Sequence, residues 1–181
     1  MRATVDTMPL ATLVDLVNGW GSRPRLEAGE QGDPYPPASD VSGRMGFLEP
    51  AVRWDERTLV DVADRLHPVF AAADADERRA LVNDILTSVA VRPCVRRDGD
   101  AFRESWLVED SRDAVLAAAA VALRDHVAQA SGQRMGTCGG TDCADVYVDG
   151  SPTGRRRFCS LTCQNRTRAA TFRRRHRNAS G

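Results

Sequence analysis

"CGGTDCADVYVDGSPTGRRRFCSLTC", residues 138–163, decides how this chain is organised. It holds four of the five cysteines, spaced C-x4-C (Cys138, Cys143), then fifteen residues, then C-x3-C (Cys159, Cys163). Zinc takes four ligands in a tetrahedron, and two close thiolate pairs supply them from local turns without a long-range search. Four sulfurs fill the shell and leave no position for a reacting water, so the expected ion is one structural zinc. An iron–sulfur centre and unliganded thiols are the alternatives the spacing admits.

Between the pairs, residues 145–160 read as a strand, a Gly/Ser/Pro turn and a second strand, a hairpin folding the second pair back onto the first. Ser160 is placed to cap a helix beginning near Leu161, which puts Cys163 in its first turn. Amides there and the neighbouring arginines would offset the two net negative charges of a zinc tetrathiolate. A module of about 40 residues buries too little apolar surface to fold alone. Val146, Val148, Phe158, Leu161 and Phe172 make a thin core, so zinc is expected to supply about 10 kcal/mol or more of folding free energy.

Working outward, the zero formal net charge hides a strong asymmetry. Nine of the 25 arginines and none of the 25 acids fall in residues 151–181, and the chain has no lysine. The absence of lysine fits the codon bias of a GC-rich genome, but codon bias does not segregate charge. Steps of about 100° along a helix over 161–177 place Leu161, Ala169 and Phe172 in one sector, expected to pack on the zinc knuckle. Arg166, Arg173 and Arg177 stack on another, with Arg174 beside them. An acid-free basic helix suits a phosphate backbone, and arginine also reaches guanine edges in a groove. Arg155, Arg156, Arg157, Arg166, Arg168, Arg173 and Arg174 are therefore candidate contacts to DNA. RNA, an acidic protein surface and a disordered basic end are the rival readings of the same charge.

The front of the chain reads as mainly helical. Leu10, Leu13, Val14 and Val17 have helical spacing within residues 3–19, ending at Gly19. Residues 21–46 are rich in Gly and Pro and are expected to be loop. Leu59, Val62, Ala63, Leu66 and Phe70 mark a second helix with Asp55 and Glu56 in its first turn, which Pro68 should kink or end. Leu81, Ile85, Leu86 and Val89 mark a third, capped by Asp74 or Asp76. Around Asp98-Gly99 the residues turn β-branched and aromatic, as in a two-stranded hairpin. A last helix follows, with Ser111 as cap, a seam of Leu116, Ala120, Leu123 and Val127, and Gly132 as stop. Cys94 reads as a small buried hydrophobe, and His67 and His126 as ordinary helix residues. The fold class is α+β: a mainly helical domain over 1–132 with a small β-hairpin or sheet, then a zinc module over 135–178 made of a β-hairpin and helix.

No stretch approaches the ~20 apolar residues of a membrane span, and no leader with a cleavage site is visible. A cytoplasmic protein without membrane association is expected, and there paired thiols stay reduced and available to metal. No constellation of catalytic residues stands out, so no enzymatic activity is expected.

The residues Cys138, Cys143, Tyr147, Asp149, Ser151, Arg156, Arg157, Phe158, Cys159 and Ser160, followed by "CQNR" at 163–166 and Arg168, resemble the CGNR zinc-finger proteins. Gln164 stands where that family has Gly, and Phe158 where Trp is usual. "LVNGW" at 16–20 is similar to an early Leu-x-Asn element of the ABATE domain that precedes the finger in the family. The resemblance implies a bacterial-type, stress-responsive transcription regulator whose finger binds DNA. It implies a front domain that senses a small-molecule effector or forms a homodimer, with Asn18 as a candidate ligand contact. A zinc-stabilised protein-interaction adaptor or an RNA-binding module is the alternative.

Overall fold

The structure, a computed structural model, describes residues 1–39, 41, 54–130 and 134–179, without the side chains of 130 and 177–179. The expected helix stop at Gly132, part of the 21–46 loop and the side chain of Arg177 lie outside the described residues. The chain is of mixed α and β structure, as expected. No helix among the described residues is long and apolar enough to cross a membrane.

In chain order the elements are β1 (Ala3–Val5), α1 (Leu10–Trp20), α2 (Ser22–Ala28), α3 (Glu56–Ala71), α4 (Ala75–Ser88), β2 (Arg92–Asp98) and β3 (Ala101–Val108). A 3-10 turn (Ser111–Asp113), α5 (Ala114–Ala130), β4 (Met135–Thr137), β5 (Val146–Val148) and α6 (Leu161–Ala179) complete it. The first sheet has the order β1-β3-β2, all antiparallel, and β4 pairs with β5 in a second.

The centre is α5. Every side chain from Ala114 to Leu123 is buried, so this segment is enclosed all round rather than along the expected seam. Its alanine run lets neighbours approach closely, and α1, α4, β1 and β3 pack around it. The 3-10 turn that leads into α5 is capped by Asp110, whose carboxylate accepts from the Arg112 amide at 3.0 Å; Ser111 lies inside that turn. The Asp55 and Asp74 carboxylates cap α3 and α4, accepting from the amides of Thr58 (2.8 Å) and Glu77 (2.9 Å).

Five expectations for the front of the chain are corrected. Residues 3–5 form a strand, too short to display a period-two pattern, and Pro9 separates it from a helix that runs to Trp20. Residues 22–28 are helical because Pro24 falls in the first turn, where its missing N–H costs nothing, and Gly29 (φ 77°) closes the C-terminus. Pro68 does not end α3: the helix continues to Ala71, and buried Arg78 donates to the carbonyls of Val69 (2.9 Å) and Ala72 (3.1 Å) at that end. The hairpin turn is Gly99-Asp100, one residue later than expected, since Asp98 pairs with Ala101 and Gly99 has φ 60°. Cys94 is half-buried rather than buried.

Candidate metal centre and basic helix

The first thiol pair sits in the loop of the β4–β5 hairpin. The Cys138 amide donates to the Asp145 carbonyl at 2.7 Å and the Gly139 amide to the Arg157 carbonyl at 2.8 Å, tying this loop to the segment carrying the second pair. Space is tight at Gly140: a Cβ there would lie 3.3 Å from both Cys138 Sγ and Cys163 Cβ. Asp142 takes a left-handed conformation (φ 54°), which Asp tolerates better than most residues.

The second strand expected before Cys159 is absent, because side chains fold residues 149–160 instead. The buried Asp149 carboxylate accepts from the amides of Ser151 (2.9 Å) and Arg156 (2.7 Å). Those bonds hold its pKa below the usual carboxylate range. The Arg156 guanidinium donates to the carbonyls of Phe158 (2.8 Å), Val148 (3.2 Å) and Cys159, and lies over the Tyr147 ring. Tyr147 in turn donates its hydroxyl to the Arg156 carbonyl at 2.8 Å. Ser160 Oγ accepts from the Cys163 amide at 3.2 Å, capping α6 as expected and fixing Cys163 in the first turn.

These two loops bring all four sulfurs within 4.8 Å of one another. Cys143 Sγ lies 3.7 Å from Cys159 Sγ, which lies 3.5 Å from Cys163 Sγ. A zinc–sulfur distance of about 2.3 Å gives a tetrahedron with edges of about 3.8 Å. The cluster therefore fits one zinc ion, and the four cysteines can bind it. Around the sulfurs, the amides of Gly140 and Cys159 donate to Cys138 Sγ, both at 3.4 Å. Arg166 reaches Cys163 Sγ at 3.6 Å and the Asp142 carbonyl at 3.3 Å. Such donors spread the excess negative charge of a tetrathiolate.

Burial pushes the Cys143 thiol up to about 12 and raises Cys159 as well. Burial acts the same way on Cys163, but hydrogen bonds from Cys159 and Ser160 outweigh it and leave this thiol below its ordinary value. The divalent ion must drive the protons off the raised thiols of Cys143 and Cys159. Zinc uptake at neutral pH is accordingly accompanied by proton release.

The finger shares apolar packing with the front of the chain. Met135 and Val146 are buried within the same apolar cluster as α1, α3 and α5, with Val148 packed against it. Asn18 fastens the edge of β5: its Nδ2 donates to the Val146 carbonyl at 3.1 Å and its Oδ1 accepts from the Val146 amide at 2.7 Å. His67 Nε2 lies 2.9 Å from the Ala144 carbonyl. The amide of Asn18, a candidate ligand contact from the sequence, is therefore engaged in docking the finger, although its residue also borders an open cleft of about 550 Å³. Sequence reasoning missed the docking role of both residues. Asn18 carried a faint signal in its motif and His67 carried none.

The candidate DNA contacts divide. Arg156 and Arg166 are used inside the finger, as above. The side chains of Arg155, Arg157, Arg168, Arg173 and Arg174 are exposed and are not used in the hydrogen bonds and ion pairs described above. The apolar positions of α6 contradict expectation: Leu161 and Phe172 are 76% and 63% exposed and do not pack on the knuckle. Cys163 is the buried position, and Thr167, Ala170 and Thr171 are half-buried. Helical phase explains the reversal, because holding Cys163 in the cage turns Leu161 and every position in line with it outward.

Residues 134–176 match the family model described as the CGNR zinc finger. The match spans all four cysteines and most of α6. Gln164, where the naming motif has glycine, sits inside α6 with its amide bonded to the Ser160 carbonyl at 3.2 Å, an ordinary helical position. No curated protein matches the chain.

Proposed function

We propose that this chain is a DNA-binding transcription regulator of the bacterial cytoplasm, in which a zinc-stabilised finger presents a cationic helix to duplex DNA. The observation that carries the reading is the exposure of Arg155, Arg157, Arg168, Arg173 and Arg174 in a segment without a single acid. A charge distribution of this kind attracts a polyanion, and a folded helix rooted in a sulfur cage holds it in one geometry. The zinc is structural, since four thiolates complete its shell.

Residues 1–132 form an ABATE-like domain for sensing a small-molecule effector or for dimerisation in a stress response, with 135–178 as the finger. The resemblance of "LVNGW" supports this, and so does the position of its asparagine, which joins the two parts. The chain acts by binding rather than by catalysis.

The test is fluorescence anisotropy of the zinc-loaded protein with duplex DNA across a salt series. Affinity is expected to fall steeply, with a log–log slope near −0.9 per phosphate neutralised. Binding absent at low salt would reject the reading.

A further inference from the structure

On α6, Leu161, Asn165, Arg168 and Phe172 follow i, i+4, i+7, i+11 spacing, which puts all four within a sector of about 60° at ~100° per residue. All four are exposed; buried Cys163 and half-buried Thr167 and Ala170 lie on the other side of the helix, and half-buried Gln164 and Thr171 border the stripe on one side. This outward stripe is mixed in a way that phosphate attraction does not require. Phosphates need cations, but they gain nothing from a leucine and a phenylalanine that are 76% and 63% exposed.

We propose that this stripe is a base-reading face that enters the major groove of duplex DNA, with Asn165 and Arg168 on base edges and Leu161 and Phe172 against thymine methyl groups. The assignment rests on the DNA-binding reading above and gives it a specific surface. Its chemistry matches the groove: Asn presents a paired donor and acceptor to adenine, Arg two donors to guanine, and apolar side chains pack on the thymine methyl. Its dimensions match too. A helix is about 10–12 Å across with side chains, the groove is about 12 Å wide, and the eleven steps from Leu161 to Phe172 cover about 16 Å, or some five base-pair rises. Arg175, about 20° past Arg168, and Arg173, about 80° past Asn165, are both exposed and lie to either side of the stripe, within reach of the phosphates bordering the groove.

In vitro selection from a random duplex library, using the full zinc-loaded chain, tests this. Anisotropy on the selected and a scrambled duplex then follows for wild type, Asn165→Ala, Arg168→Ala and the double variant Arg173→Ala/Arg175→Ala. Wild type is expected to select a short consensus. The first two variants should each lose preference at one base position and bind the selected duplex about 10- to 100-fold more weakly, while the scrambled duplex is little changed for Asn165→Ala and loses less than the selected one for Arg168→Ala, which also removes a cation. The flank variant should weaken both duplexes alike and flatten the salt slope. Tight duplex binding by wild type without any consensus, or equal losses on both duplexes for Asn165→Ala and Arg168→Ala, would overturn the assignment while leaving DNA binding intact. Failure of wild type to bind any duplex overturns the DNA-binding reading itself, and this assignment with it.

Discussion

Gly140 shows how little space the cage leaves. Its missing Cβ is the gap through which the backbone passes Cys138 Sγ and Cys163, both within 3.3–3.7 Å of where that atom would be. Gly140→Ala should force those sulfurs apart by a few tenths of an ångström, at a cost of about 1–3 kcal/mol, as for overpacking elsewhere. Competition with a chromophoric chelator reads this directly, and unchanged zinc affinity would contradict the packing. The thiol spacing made the ligands legible from the sequence, because each pair is local. Gly140 was not singled out, since nothing local distinguishes a glycine that clears a sulfur from one that merely turns. The same limit applies to Arg156. As one of three consecutive arginines it read as a partner contact, yet its guanidinium closes the finger's own loop against three carbonyls.

Among elements, α6 depends most on what lies at its first turn. Exposed along most of its length, it has little of the tertiary packing from which helices in proteins draw most of their stability. Ser160 supplies the cap and Cys163 the anchor. Ser160→Ala should cost about 0.5–2 kcal/mol. Amide hydrogen exchange should be faster across residues 161–167 at constant zinc content; unaltered protection there would show the cap to be dispensable. Long periodic helices such as α3 and α4 were readable from spacing and caps. The three-residue strands β1 and β4 were not, because their pairing is decided by partners elsewhere in the chain, as in Ala3 with Val108; β5 was legible as a strand, but with its partner expected after it rather than before. The reading of α6 had nearly the correct extent but the wrong phase, since periodicity reports which residues share a side and the burial of Cys163 in the sulfur cluster decides which side faces in.

Across the whole molecule, the apolar cluster and the metal site hold different territories. Most buried side chains belong to α1, α3, α4 and α5, and the finger adds Met135 and Val146. Chelation should therefore collapse the thiol loops and α6 and leave the front helices folded. Circular dichroism is expected to lose the share of a 19-residue helix. Exchange protection should persist in α5, and the thermal midpoint should fall modestly because Met135 and Val146 loosen. Complete unfolding on metal removal would contradict this partition. The two-part organisation was visible in the charge asymmetry and thiol spacing, but the single shared core was not, because it rests on Asn18 and His67 meeting backbone carbonyls rather than on any pattern of residue types.

That shared core makes α6 a lever with its fulcrum in the body of the protein. Nineteen residues at about 1.5 Å each give an arm of about 28 Å, so a 10° tilt at the root would swing the free end by about 5 Å, more than one base-pair step. Small shifts of α1 or α3 beneath β5 would thus be magnified at the far end of the arginine helix.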